Sequence, residues 1–152
     1  FTIVNTAWVY SSNGNHFVKT MIRRMSARAE LGIGADQVGS PTWANGLARA
    51  IWNMVENGVT GVQHWSDNGV ASWYDFAQAI MEEGVELGLL SHPIDVKPIR
   101  TTDYPTPAQR PAYTVLEKTT TCEQLSIIPQ HWREALKTML GEMKFELCHC
   151  KP

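Results

Sequence analysis

Tyr10, Tyr74, Tyr113, the Glu82-Glu83 pair, Gly32-x-Gly34 and Cys148-His149-Cys150 are the places where residue type or spacing could support chemistry. A tyrosine that protonates a carbonyl needs a nearby cation, and a lysine four residues on supplies it in a helix. That position holds Gly14 after Tyr10, Gln78 after Tyr74 and Glu117 after Tyr113, so no such acid pair is formed. Glu82-Glu83 reads as the solvated face of a helix. Gly32-x-Gly34 lacks a third glycine in register and follows a helix, whereas a dinucleotide loop follows a strand. No phosphate-binding P-loop and no G-x-S-x-G nucleophile elbow occurs. Cys148-His149-Cys150 has no second ligand pair at zinc spacing and reads as a frayed tail. The sequence therefore assigns no catalytic residue and no metal ligand.

Six tryptophans are many for 152 residues. Trp52, Trp73 and Trp132 lie on or beside helical apolar faces, which points to core packing. Trp8 follows a β-rich stretch and precedes the turn cluster Ser11-Ser12-Asn13-Gly14-Asn15. Ligands of open α/β sheets sit beyond the carboxyl ends of strands, where an indole face can stack on a base or sugar. Core packing and a ligand platform both remain open for Trp8.

The elements that must position these residues follow from length and pattern. One domain is expected from 152 residues, and 43% hydrophobic with 18% charged residues is an ordinary globular balance. A net charge of -2 excludes the basic footprint of a nucleic-acid binder. No window approaches 18 consecutive apolar residues, so no membrane span is expected, and no signal peptide is visible. Three cysteines do not form a disulfide framework, which fits a reduced, cytoplasmic protein. Phe1 already opens a strand-like stretch, as if the chain began inside a longer design.

Thr2 to Tyr10 reads as a buried strand. Phe17, Met21, Ile22 and Met25 recur at helical spacing, with Lys19, Arg23, Arg24 and Arg28 on the other face, and that helix is expected to run to about Leu31. An extended piece follows over 33–38. Leu47, Ala50, Ile51, Met54 and Val55 define a second helix that Asn57-Gly58 ends. A strand is expected over 61–66. Ser72 with Asp75 approximates a capping box, with Asp in place of Glu, for a helix from Trp73 to Leu87. Ile94 to Arg100 is another strand, with Pro98 suggesting an edge or bulge. The segment 101–111 holds Pro105, Pro107 and Pro111 and must be a stiff loop. A short helix over 120–125 and a last one over 130–143 complete the pattern, leaving 144–152 as a poorly ordered tail. Alternating strands and helices give an α/β class with a small sheet of about four strands.

Several blocks, taken together, resemble the dTDP-4-dehydrorhamnose reductase family. They are Thr6-Ala7-Trp8-Val9-Tyr10, Gly14-Asn15-His16-Phe17-Val18-Lys19-Thr20-Met21, Asp36-Gln37-Val38-Gly39-Ser40-Pro41-Thr42, Ser72-Trp73-Tyr74-Asp75-Phe76-Ala77, Tyr104-Pro105-Thr106-Pro107-Ala108-Gln109-Arg110-Pro111 and Trp132-Arg133-Glu134-Ala135-Leu136. They occur in the family's order over about Thr2 to Met143. Three positions depart from the family pattern. Asn5 stands for a usual Arg, Ala7 for a usual Ser, and Gln109 for a frequent Arg.

The resemblance implies an extended short-chain reductase, and of that only the C-terminal, substrate-binding half. The fold implied is a partial Rossmann-like sheet with flanking helices. The family reduces the 4-keto group of a dTDP-linked 6-deoxy sugar with NADPH or NADH. By resemblance, Trp8 flanks the sugar or nicotinamide side of the pocket. Asn15, Phe17, Gln37 and Arg110 line the substrate side, with Arg110 a candidate for the diphosphate. Core packing for Phe17, turn capping for Asn15 and Gln37, and a surface salt bridge for Arg110 are the plainer alternatives. The cofactor loop and the Tyr/Lys pair belong to the family's other half, so this chain alone is expected to bind no cofactor and to be an incomplete reductase. A dTDP-sugar is the expected ligand. A separate cofactor-binding chain is a possible partner, and an exposed sheet edge favours a homo-oligomer. A non-catalytic nucleotide-sugar or protein-binding module is the alternative.

Overall fold

The computed structural model describes residues 1–103 and 110–149. Tyr104 to Gln109, which include Pro105 and Pro107 of the expected stiff loop, lie outside the described residues, as do 150–152. The order is β1 (Thr2–Asn5), β2 (Val9–Tyr10), α1 (Phe17–Ala27), β3 (Glu30–Gly34), β4 (Val38–Gly39), β5 (Thr42–Trp43) and α2 (Ala44–Glu56). Then come β6 (Gly61–His64), β7 (Ala71–Ser72), α3 (Trp73–Glu86), β8 (Asp95–Ile99), a single 3-10 turn (Thr101–Asp103), α4 (Thr119–Leu125) and α5 (Trp132–His149). No helix among the described residues is long and apolar enough to cross a membrane.

The α/β class holds, and the strands pair two by two. β1 runs parallel to β6, β2 to β5, and β3 to β8, while β4 is antiparallel to β7. Parallel neighbours need a helical crossover, and α1, α2 and α3 lie between the paired strands in sequence. The expected strand from Thr2 to Tyr10 is broken at Thr6–Trp8, because Trp8 adopts φ 51, a left-handed backbone that no ladder accommodates. Leu31 is not the end of α1. It belongs to β3, where Leu31 and Ile33 are buried and Glu30 and Gly32 exposed, the alternation of a strand.

α1 and α3 pack on the β3–β8 ladder, and α5 packs on α3 and β5, around a core that includes Met21, Met25, Ile33, Phe76, Ile80, Val96, Leu136 and Met139. A second cluster joins α2 to α4 through Ala50, Met54, Trp65 and Leu125, with Val4 of β1 against it. Of the apolar stripe expected on α2, Ala50 and Met54 are buried but Val55 is exposed. Trp52, expected in the core, is 66% exposed and donates Nε1–H to the Glu56 carboxylate at 2.8 Å. Gly58, at φ 63, supplies the left-handed turn that follows α2. The Ser72–Asp75 capping box forms as expected. Ser72 Oγ accepts from Asp75 N at 3.0 Å, and Asp75 Oδ2 accepts from Ser72 N at 2.9 Å. α5 continues through Lys144 to His149, where the sequence suggested a tail.

α2 lacks a local cap, and a remote carboxylate replaces it. Asp67, between β6 and β7, accepts the Trp43 N–H at 2.9 Å. The Lys118 ammonium donates to the Asp67 carbonyl at 2.9 Å and to Ser66 Oγ at 3.1 Å. Burial pushes the Asp67 carboxyl up to about 6, against the pull of the Trp43 N–H and of Lys118. A folded value above the unfolded one, roughly 3.9, means that the folded chain binds this proton more tightly. The stability due to Asp67 is therefore largest below pH 4 and declines as pH rises toward 6. Asp67→Asn keeps an acceptor and removes the charge. Urea unfolding should show wild type losing up to about 3 kcal/mol relative to Asp67→Asn between pH 4 and 7. A stability difference independent of pH would contradict this.

Candidate functional site

A cleft of about 420 Å³ opens between α1, the β3–β8 ladder and the start of α3, a size usual for a small-molecule pocket. Phe17, Thr20, Met21 and Arg24 line it, at the spacing that puts them on one face of α1. Gly32 and Gly34 lie two apart on β3 and so share a face, and both line the cleft. Gln37 follows β3, and Arg100 and Thr101 follow β8, so the carboxyl ends of two parallel strands feed the same opening. Trp73, the first residue of α3, and Arg110 complete the lining.

One wall is aromatic. The Trp73 indole lies 4.6 Å from the Phe17 ring, and Phe17 stacks on Phe76 at 5.6 Å. Behind Trp73, Trp8 stacks on it at a centroid distance of 3.6 Å and an interplanar angle of 8°. The left-handed backbone at Trp8 is what turns its indole onto Trp73, and Trp8 O accepts from Thr42 N at 3.1 Å to fix that turn. Gly39 makes room for it. A Cβ there would lie 2.7 Å from Trp8 Cε2 and 2.8 Å from Thr114 Oγ1.

The polar side is held by a short chain of hydrogen bonds. Gln37 Nε2 donates to Thr101 Oγ1 at 3.1 Å, and Thr101 Oγ1 donates to Asp36 Oδ1 at 2.7 Å. The Thr101 N–H adds two more donations to the same carboxylate at 3.0 Å. These donors hold the exposed Asp36 carboxyl below its ordinary range. Arg100 Nε lies 3.5 Å from Asp103 Oδ2. Among the described residues neither Arg24 nor Arg110 has an ion pair. The cleft thus offers flat aromatic surface and two uncompensated guanidinium groups.

Of the five residues that resemblance pointed to, Phe17, Gln37 and Arg110 come together on this wall. Trp8 stands one ring behind it, supporting Trp73. Asn15 lies in the exposed turn before α1 and is not among the lining residues. Phe17 does both things its residue type allows, packing on Phe76 and facing the cleft. The sequence reading missed Trp73, Arg100 and Thr101 as lining residues, and it put Arg24 on the helix face opposite Phe17, whereas both line the cleft. For Arg24 a signal existed, since it stands seven residues after Phe17 and so shares its helical stripe.

Residues 1–145 match the RmlD substrate binding domain. The chain belongs to that family. The domain is 42% identical over 142 residues to the spore coat polysaccharide biosynthesis protein SpsK of Bacillus subtilis, covering 93% of this chain and 47% of that protein. It is 38% identical over 143 residues to the dTDP-4-dehydrorhamnose reductase of Aggregatibacter actinomycetemcomitans, covering 90% of this chain and 49% of that one. The crystal structure of dTDP-4-dehydrorhamnose reductase from Bacillus anthracis, in complex with NADP, superposes with a TM-score of 0.85 at 32% identity, over 93% of this chain and 48% of that one. This RmlD substrate-binding domain therefore spans about half the length of the relatives it matches.

The N-termini of α2 and α3 already hold carboxylates, Asp67 and Asp75, whereas the start of α1 has neither a side-chain cap nor an acid in its first turn. A phosphate at the starts of α2 and α3 would meet like charge, so those two turns do not fit the phosphates of a nicotinamide dinucleotide. Gly39→Ala should displace Trp8 from Trp73. Two stacked indoles couple excitonically, so the tryptophan couplet in circular dichroism should be lost, as in Trp8→Ala. A couplet that survives in Gly39→Ala would refute the close packing of Gly39 on Trp8.

Proposed function

We propose that this RmlD substrate-binding domain holds a nucleotide-linked 6-deoxy sugar, of the dTDP-4-keto-6-deoxyhexose type, in the α1–β3–β8 cleft. The observation that carries the reading is the combination of the Phe17–Trp73 wall with Arg110, which has no ion pair among the described residues, in one opening. A flat ring and an anion on the same molecule satisfy both. The resemblance to the reductases named above supplies the sugar. Calorimetry should show binding of dTDP and dTDP-rhamnose, with thymidine far weaker and Arg110→Ala losing about tenfold or more in affinity for the diphosphates. Equal affinity of wild type and Arg110→Ala, or no binding of either diphosphate, would sink the reading.

The nicotinamide cofactor of such a reductase is, on this reading, held by the half of the relatives that this chain does not span. An open face supports that arrangement. Ile3 and Val62, cross-strand partners in the β1–β6 pair, are 50% and 60% exposed. Parallel strands are normally covered on both faces, and here the α2–α4 cluster covers the Val4 side only. The homo-oligomer expected from the sequence would use the same face. The domain mixed with NADPH and dTDP-4-keto-rhamnose should leave the nicotinamide absorbance unchanged. Adding the remaining half of the Bacillus anthracis dTDP-4-dehydrorhamnose reductase should start the decline. Robust turnover by the domain alone would overturn the division of labour.

A further inference from the structure

We propose that Arg24 is a second anion-binding arm of the cleft, acting with Arg110 on a ligand that carries two linked phosphoryl charges; this rests on the nucleotide-sugar reading of the same cleft and adds a residue to it. Arg24 occupies the last turn of α1, on the stripe that carries Phe17, Thr20 and Met21 into the cleft. Seven residues at 1.5 Å each place it about 10 Å along the helix from Phe17. The cleft is therefore aromatic at one end of α1 and cationic at the other, and a ligand must be elongated to use both.

Charge selects the anion. Two of the three carboxylates near the cleft are paired with cations, and the third, Asp36, keeps its charge under neutral donors. Asp36 is held by Thr101, Asp103 by Arg100, and Glu30 by Lys97 at 2.5 Å. Among the described residues two guanidinium groups of the lining, Arg24 and Arg110, have no acid paired with them, which suits a ligand with more than one phosphoryl charge. A guanidinium binds phosphoryl oxygens through two parallel N–H donations, which a lysine ammonium cannot reproduce. The plain alternative is that Arg24 merely favours the negative end of the α1 dipole. That role needs the charge at the helix end and no ligand. Arg23, next to it and exposed, does not line the cleft and serves as the internal control.

The test is calorimetry on the full chain at low salt with inorganic pyrophosphate and with inorganic phosphate. Wild type should bind pyrophosphate more tightly than phosphate. Arg24→Gln should weaken pyrophosphate binding about tenfold or more, Arg24→Lys should recover part of it, and Arg23→Gln should leave it unchanged. Thermal melts check that each variant is folded. If Arg24→Gln fails to fold, Arg24→Lys carries the comparison, with a loss of affinity still expected. Wild-type affinity in Arg24→Gln, an equal loss in Arg23→Gln, or no pyrophosphate binding by wild type would each overturn the inference. The nucleotide-sugar reading fails separately. dTDP-rhamnose binding that persists unchanged in Arg24→Gln leaves that reading standing and removes this one. Pyrophosphate binding without dTDP-rhamnose binding does the reverse.

Discussion

The stack of Trp8 on Trp73 is the contact on which the site depends. It joins parts of the chain that share no regular element, the break after β1, the glycine of β4 and the first turn of α3. Its geometry has a cost. A left-handed backbone at a bulky non-glycine residue is unfavourable by about 1–2 kcal/mol. The indole stack, the Thr42 N–H bond to Trp8 O and the bare Cα of Gly39 together hold it. Such strain persists only where the surroundings over-determine the residue. Here the consequence is a fixed aromatic wall, because Trp73 is backed by Trp8 on one side and flanked by Phe17 on the other.

Electrostatics divides the molecule in a similar way. Carboxylates serve structure. Asp67 and Asp75 take the N-terminal N–H groups of α2 and α3, and Asp36 fixes the turn after β8 through Thr101. Two guanidiniums of the cleft, Arg24 and Arg110, are left without an acid among the described residues. A cleft lined this way attracts anions even though the chain as a whole carries a net charge of -2. Net charge excluded a nucleic-acid backbone, but it could not reveal a local cationic pocket.

Much of the architecture was legible in the residues. The capping box at Ser72 and Asp75 formed because its hydrogen bonds are local, three residues apart. The helix before Asn57-Gly58 ended where glycine permits a left-handed turn. Local periodicity misjudged Leu31, because only the distant β8 decides that this segment is a strand. It misjudged Trp52 too. An apolar side chain on a helix is buried only if enough packs on that face, and Trp52 stays 66% exposed.

The amino-acid order alone established the alternation of helices and strands, the local caps and turns, and the family blocks that brought Phe17, Gln37 and Arg110 into consideration. Those signals are carried by neighbours within a turn or two of chain. Which residues face one another across the cleft was settled only by the tertiary structure. Arg24, Thr101 and Arg110 line one cleft because parallel pairing of β3 with β8 brings together segments more than sixty positions apart. Trp8 became a buttress and not a wall because the backbone at that one residue turned left-handed. No periodicity encodes that conformation, since packing against Trp73 and Gly39 is what stabilises it.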